Sequence, residues 1–382
     1  MNLLLTMPTF RKWGGAQEVV VMLADHFRAL GDRVIIASED TPETLRQRFA
    51  PEDVHYALPL KQRTPWAMAQ NLIGMVRIVR RERIDLISSH EKKTSILCMP
   101  VGRLLGVPVV HTGHTQTTNW RARWFGFFGQ HVTAVCNSTK EYLVRRFGIP
   151  PERITVIHAT SRLVPPPQLA DIESVRGQFG LHPRQPVIVC VARLSPEKGH
   201  AVLLRAMLTV RREFPDARLL LVGKGHIQQQ LEELTASLGL SDCVTFAGYR
   251  KQPGAIVAAA SVAVLPSLHS EGFPLINIEC LRLGIPVVSS NTDGVPELIR
   301  DGETGLLVPP GNAAALADAI CRLLRDPAFA TRLAQTGRAV ALARFDPTLM
   351  CQQYEAYFAS VLGQPPRPEV AARLEQLTAN SA

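Results

Sequence analysis

The chain has 382 residues, too many for one ordinary hydrophobic core, so two domains are expected. Hydrophobic residues make up 46% and charged residues 20%, which excludes wholesale disorder. The net charge of +9 suits a polyanionic partner (nucleotide phosphates, an anionic membrane surface or nucleic acid), and equally a merely basic soluble enzyme.

Seven cysteines, at positions 98, 136, 190, 243, 280, 321 and 351, form no CxxC pair. They predict neither a zinc site nor a disulfide framework and fit a reducing cytoplasm. The longest apolar run, about 255–265, is far short of the roughly 20 residues that cross a bilayer. The opening MNLLLTMP lacks the basic and apolar regions of a signal peptide. The expectation is a cytoplasmic protein whose membrane contacts, if it makes any, are peripheral.

In chain order, Asn2–Thr6 is a short apolar strand followed by the loop TFRKWGGA. From Gln17 to Leu30 apolar residues recur at helical spacing (Val20, Leu23, Ala24, Phe27), and Gly31 is placed to end the helix. Arg33–Ala37 is the next strand, which completes a right-handed βαβ unit. Further strands are expected at Ile84–Ser88, Val107–Thr112, His131–Cys136 and Ile154–Ile157, with helices between. The stretch LVPPPQLA, Leu163–Ala170, holds three consecutive prolines and reads as a stiff connector and domain boundary. The alternation then restarts, with strands at Pro186–Arg193, Arg218–Gly223, Val244–Ala247, Val262–Leu265 and Pro286–Ser289. Its helices are expected at His200–Phe214, Ile227–Leu238, Pro274–Leu283 and Ala313–Leu324. From Gly363, with Pro365, Pro366 and Pro368, the tail reads as a loosely ordered end. The pattern gives two successive doubly wound α/β domains, with ligands at the carboxyl ends of the strands and in the cleft between domains.

Three stretches carry chemistry. In Glu271-Gly-Phe-Pro-Leu-Ile-Asn-Ile-Glu279 two carboxylates stand eight residues apart. Pro274 suits the first position of a helix, so free N–H groups near Phe273 to Ile276 face the crevice, a ready site for phosphate. The carboxylates can accept hydrogen bonds from a sugar and a ribose on either side of a diphosphate. A surface glutamate plus a helical one is the plain alternative. In Val191-Ala-Arg193-Leu-Ser-Pro-Glu-Lys198-Gly-His200 two cations straddle a strand-to-helix turn. Arg193 can bind a diphosphate bidentately and Lys198 as a point charge. The alternative there is a solvated basic loop. Gly14-Gly15 and Gly223-Lys224-Gly225 are weaker loop signals that lack the full GxGxxG spacing.

Together these residues resemble the family 4 retaining glycosyltransferases, from the glycine pair to about residue 345. The resemblance implies the GT-B fold: a Rossmann-like acceptor domain over 1–165, a Rossmann-like nucleotide-sugar domain over 166–345, and a C-terminal helix and tail over 346–382 that returns towards the first domain. It implies a nucleotide-sugar donor, a UDP-sugar first and a GDP-sugar next, and a glycan or lipid-linked acceptor in cell-envelope polysaccharide or lipopolysaccharide synthesis. Glu279 is then expected on the ribose, Glu271 on the donor sugar, and Arg193 and Lys198 on the diphosphate. Phe273, Pro274 and Leu275 are expected to add main-chain contacts, with Gly223 beside them. Gly15 is expected to reach the phosphate from the first domain, and the base to lie near Phe246 to Arg250. Pro108-Val-Val-His-Thr-Gly-His114 matches the family's P-x-x-x-T-x-H pattern, which places His114 near the reacting carbon; His111 matches less well. Transfer with retention follows. The sequence holds no convincing DxD pair, so no metal or other cofactor is expected, and with no obvious nucleophile an ion-pair route is favoured.

Two places depart from the family pattern. Val156-Ile-His158-Ala-Thr-Ser-Arg162 replaces an Asn-Gly turn followed by Asp, which puts the hinge and acceptor side in question. Asp293-Gly294-Val-Pro-Glu297 replaces a Gly-Gly pair, with Glu297 read as structural. Asn119–Phe128 mixes Trp120, Arg121, Arg123 and Trp124 as interface-bound helices do, and Lys61-Gln-Arg63 with Trp66 is a weaker patch. Core packing is an equal reading of those aromatics. Two rival functions are a nucleotide-sugar epimerase of the same fold and a non-catalytic basic binding module, although no nucleic-acid motif is present.

Overall fold

The computed structural model describes residues 1–11, 14–46, 49–62, 64–114, 129, 131–162 and 165–379. The chain divides into two compact units, Met1–Arg162 with Pro347–Ala382, and Leu163–Asp346.

The first unit is built on seven parallel strands: β1 (Asn2–Thr6), β2 (Arg33–Ser38), β3 (Val54–Ala57), β4 (Leu86–Ser89), β5 (Val109–Gly113), β6 (His131–Ala134) and β7 (Ile154–Val156). Their order in the sheet is β3-β2-β1-β4-β5-β6-β7. The order reverses between β1 and β4, the place where such sheets open a crevice. The central strand reads as a continuous apolar run because both its faces are covered: Leu3, Leu4 and Leu5 are wholly buried. Burying each of these side chains contributes about 2 kcal/mol.

The second unit has six parallel strands: β8 (Val187–Val191), β9 (Arg218–Val222), β10 (Val244–Gly248), β11 (Val262–Leu265), β12 (Val287–Ser290) and β13 (Leu306–Val308). They run in the order β10-β9-β8-β11-β12-β13, with the same reversal between β8 and β11. Its core joins Ile188, Cys190, Leu219 and Val264 of the sheet to Leu203, Met207, Leu316 and Ile320 of the covering helices. The seven cysteines are all buried, small apolar fillers of these cores.

Several expectations need correction. The strands β3 and β13 do not stand out in the sequence: both are edge strands of three or four residues, and β3 is only half-buried. Leu169 and Ala170, read as connector, begin the helix Leu169–Gln178, where Gln168 and Asp171 form a capping box. The tail is not loose, since Pro368–Ala379 is a helix started by Pro368. Before it, Pro347–Val361 lies against the first helix of the chain, Gly15–Ala29. Phe358 stacks on Phe27 with ring centroids 5.4 Å apart, and buried Glu355 pairs with His26 at 2.9 Å and Arg367 at 3.4 Å.

Candidate functional site

In the second unit the loops after β8, β9, β11 and β12 leave the same carboxyl edge of the sheet. The loop after β8 holds Arg193 and ends in the short turn Pro196–Lys198. Its closing Gly199 has φ +68° and lies so close to the main chain after β11 that a Cβ would stand 1.9 Å from the Pro266 oxygen. Only glycine meets both conditions. A second tie runs from the Leu268 N–H to the Glu197 carbonyl, 2.8 Å.

The glycines after β9 have the same physical reason. A Cβ on Gly223 would lie 2.0 Å from the Ala192 oxygen, and one on Gly225 would lie 1.9 Å from the Leu194 oxygen. The Leu194 N–H donates to the Lys224 carbonyl at 3.2 Å. Gly223-Lys224-Gly225 is therefore the backing that fixes the main chain on either side of Arg193.

Four charged side chains gather here. Lys198 Nζ donates to Glu271 Oε1, and the Ser267 hydroxyl donates to the same oxygen. The two side chains are 17% and 7% exposed, so the pair is largely withdrawn from water. Among the described residues Glu271 Oε2 has no partner, which leaves it available to accept from a ligand hydroxyl. Arg193 is 65% exposed and pairs with Glu197 at 2.9 Å, a contact of little energetic weight that a ligand can displace. Burial works against ionisation of Glu197, but hydrogen bonds from Ser195 and its own backbone, with Arg193 and Lys198 nearby, hold its carboxyl below the usual range.

Glu271 is held from both sides. Ser270, just before it, sits at φ +66°. The Glu271 N–H donates to the Asp293 carboxylate at 2.9 Å, and its carbonyl accepts from the Gly294 N–H at 3.1 Å. Asp293 is itself at φ +48°. Uncommon backbone conformations for non-glycine residues gather where surrounding structure over-determines them. The helix that follows is Leu275–Arg282, so Pro274 precedes the first helical position rather than filling it; its φ of −78° and ψ of +99° are extended. The first N–H groups of a helix lack partners within it, so Leu275 and Ile276 present donors at the same edge as Lys198. Glu279 lies half-buried in the second turn, and buried Phe273 packs on Phe345 at 5.3 Å. At the end of β10 the expected base region presents Tyr249, 48% exposed, with Lys224 Nζ 5.5 Å from its ring.

In the first unit Gly15 is exposed at the start of its helix, and Gly14 before it is fully extended. Buried Asp40 anchors the loop before them, accepting from the Thr9 hydroxyl at 2.8 Å and the Phe10 N–H. His114 follows β5 directly and is half-buried. Burial holds its imidazole down at about 4. His111 points elsewhere: its Nδ1 lies 2.5 Å from Ser95 Oγ, and burial, aided by His114 and Lys92, pushes it to about 3. The altered hinge loop is anchored by Arg162, which pairs with Glu18 at 2.9 Å and Asp25 at 3.0 Å. Trp120, Arg121, Arg123 and Trp124 lie outside the described residues, as does Arg63.

Sequence reasoning missed Ser267, Asp293 and Glu197 as partners of the charged group. Their only signal is position, within a few residues of the ends of β11, β12 and β8.

Two parallel sheets of this order, with cationic and acidic loops at the carboxyl edge of the second, are the GT-B architecture. Residues 171–340 match the family model of glycosyl transferases group 1, and residues 13–159 match that of glycosyltransferase family 4. The chain is 29% identical over 371 residues to the phosphatidyl-myo-inositol mannosyltransferase of Mycobacterium leprae, covering 94% of this chain and 96% of that one. It is 30% identical over 289 residues to the GDP-mannose-dependent alpha-(1-6)-phosphatidylinositol monomannoside mannosyltransferase of Mycolicibacterium smegmatis, covering 70% and 74%. Among solved structures it superimposes on HepE of Anabaena, in complex with UDP and glucose, with a TM-score of 0.81 at 24% identity over 94% of this chain and 100% of that one. The chain belongs to the family 4 glycosyltransferases.

Proposed function

We propose that the protein transfers a hexose from a UDP- or GDP-sugar to a lipid-linked or glycan acceptor of the cell envelope, with retention and without a metal ion. The observation that carries this reading is the cluster at the carboxyl edge of the second sheet, where Arg193, Lys198 and the start of Leu275–Arg282 gather positive potential beside Glu271. When the sugar–phosphate bond breaks, charge grows on the β-phosphate oxygens. Two cations and a helix N-terminus stabilise that charge and do so more strongly in the transition state than in the ground state. Their combined charge is what makes a metal unnecessary. Glu271 Oε2 accepts from a sugar hydroxyl, Glu279 from the ribose, and Gly15 and His114 act from the first unit. The acceptor hydroxyl attacks from the face the leaving group vacates. The sequence offers no obvious nucleophile for a covalent relay, which favours the ion-pair route.

The names of the relatives support both donors: one is named for GDP-mannose, while the structural neighbour holds UDP. The lipid acceptors in the names of two relatives support a lipid-linked acceptor here. Among the described residues no helix is long and apolar enough to cross a membrane. The helix Pro65–Arg81 contains no acidic residue and exposes Trp66, Met68 and Ile73 beside Arg77, Arg80 and Arg81, which fits peripheral contact with anionic lipid. Family membership favours transfer over epimerisation or simple binding.

The test is diphosphate release from UDP-, GDP- and ADP-sugars by wild type and Arg193→Ala. Release from one donor, lowered at least roughly 100-fold by the substitution, supports the reading. No release and no nucleotide binding from any donor overturns it.

A further inference from the structure

Parallel pairing of β4 with β5 sets Ser89 opposite His111. The residues just past the two strand ends, His90 and His114, are thereby brought together. His90 Nδ1 lies 3.1 Å from His114 Nε2, with ring centroids 5.3 Å apart. The other nitrogen of His90, Nε2, lies 3.0 Å from Ser88 Oγ. Ser88 and His90 are buried, and the His90 N–H is tied to the Thr6 carbonyl at 3.1 Å. His90 is used by neither the donor cluster nor any motif named above.

The three groups form a chain whose direction can be worked out. Burial, with His114 and His111 beside it, depresses the His90 imidazole well below its ordinary range, and burial depresses His114 also. Both rings are neutral near pH 7, so each carries one N–H, and one must donate to the other. If His114 Nε2–H donated to His90, then His90 Nε2–H would donate to the Ser88 hydroxyl. That hydroxyl would keep its own proton with no acceptor for it among the described residues, a buried donor left unmet. In the opposite direction both donors of the buried residues are met: Ser88 Oγ–H donates to His90 Nε2, and His90 Nδ1–H donates to His114 Nε2, so the one donor left over is on the half-buried His114. His114 then carries its proton on Nδ1, the nitrogen that has no partner among the described residues.

We infer that His90 is a positioning residue that fixes His114 as the Nδ1–H tautomer, so that His114 offers the substrate a hydrogen-bond donor and not a base. This rests on the proposed place of His114 at the reacting sugar. An N–H donor suits a sugar hydroxyl, and it leaves the acceptor's proton to be taken by the departing diphosphate. The proton goes from acceptor oxygen to phosphate oxygen as the glycosidic bond forms, and no protein base is needed.

Asparagine and aspartate are near-isosteric and discriminate the roles. In His90→Asn the amide N–H₂ takes the place of Nδ1–H and donates to His114 Nε2. In His90→Asp a carboxylate faces His114 and accepts instead, which draws the proton to Nε2. Nitrogen-15 spectra of histidine-labelled, ligand-free protein, assigned with His114→Gln, read the tautomer directly. Wild type and His90→Asn are expected to show His114 protonated at Nδ1, and His90→Asp at Nε2. Transfer by His90→Asn is expected within about tenfold of wild type. His90→Asp is expected to lose roughly 100-fold in kcat with donor KM little changed. His114 protonated at Nε2 in wild type, or a tautomer that does not differ between the Asn and Asp variants, overturns the inference. The spectra need no substrate: the expected tautomers in a protein that releases no diphosphate would support the assignment while the proposed function fails.

Discussion

The packing of Gly225 against Leu194 makes a quantitative prediction for Gly225→Ala. The new methyl would stand 1.9 Å from the Leu194 oxygen, 2.5 Å from its carbonyl carbon and 2.8 Å from its Cα. All three are main-chain atoms, so no side chain can swing away. Real Cβ atoms essentially never come within 3.0 Å of such neighbours, so the two loops must part by about an ångström or more. Overpacking of this kind costs about 1–3 kcal/mol, and stretching the Leu194–Lys224 hydrogen bond adds about 1 kcal/mol. The displacement falls on the residue next to Arg193, where an ångström of misplacement can cost about 100-fold in rate. Gly239→Ala is the matched control. Gly239 sits at φ +69° with nothing within 4 Å of a would-be Cβ, so alanine there meets only the left-handed penalty of about 1–2 kcal/mol. Denaturant titration and kcat/KM for diphosphate release are the readouts. Gly225→Ala should lose about 2–4 kcal/mol and most of its activity, whereas Gly239→Ala should keep wild-type kinetics. A Gly225→Ala protein no less stable and no less active than Gly239→Ala would refute the argument.

Two further predictions follow from buried charge. Lys198→Met leaves the Glu271 carboxylate buried and unpaired and should cost about 3 kcal/mol, most of which the double variant Lys198→Met/Glu271→Gln should recover. Equal losses in single and double variants, by denaturant titration, would mean that the pair is not coupled. Stability should also fall on acidification. His111, His114 and His200 take up protons in the unfolded chain below about pH 6.5. Folded, burial holds them near 3, 4 and 4, with Lys198 also acting on His200. Stability is therefore full above about pH 6.5 and declines towards pH 4, by about 2 kcal/mol per histidine at pH 5. His200 is buried with both ring nitrogens unpartnered among the described residues, so His200→Leu should flatten the fall between pH 7.5 and 5 by about that amount. An unchanged slope would count against the buried, neutral imidazole.

What the sequence reveals of the fold is what both faces of a central strand demand. LLL in β1 and VIV in β8 are covered on both sides, so their apolar runs are continuous and legible. VHYA in β3 and LLV in β13 are short edges whose pairing depends on a neighbour, and nothing local distinguishes them from loop. The helix Pro368–Ala379 was masked by the prolines before it, although Pro368 is what starts it. For the site, residue types are legible and pairings are not. Arg193, Lys198 and Glu271 each announce a charge, but that Lys198 meets Glu271 depends on β8 lying beside β11, a contact across more than seventy residues. His90 is the extreme case: a lone histidine after an apolar strand carries no signal until β5 places His114 next to it.

The two departures from the family pattern show the same dependence from the other side. Losing a glycine from a tight loop usually signals a changed backbone path. Asp293 sits in the left-handed region that glycine adopts freely, at φ +48°, and aspartate tolerates it better than most residues. What changes is how the loop is held: the new carboxylate accepts the Glu271 N–H at 2.9 Å, a contact that glycine could not make. In the hinge loop, Arg162 bridges Glu18 and Asp25, which stand two turns apart on one face of Gly15–Ala29. It ties the end of the first unit's N-terminal segment to the helix that Gly15 begins. At Asp293 a residue free in conformation has been replaced by one fixed through charge, and in the hinge loop a basic residue adds an anchor through charge. The substitutions therefore bear on how firmly Glu271 and Gly15 are presented, and they leave unchanged which groups are presented.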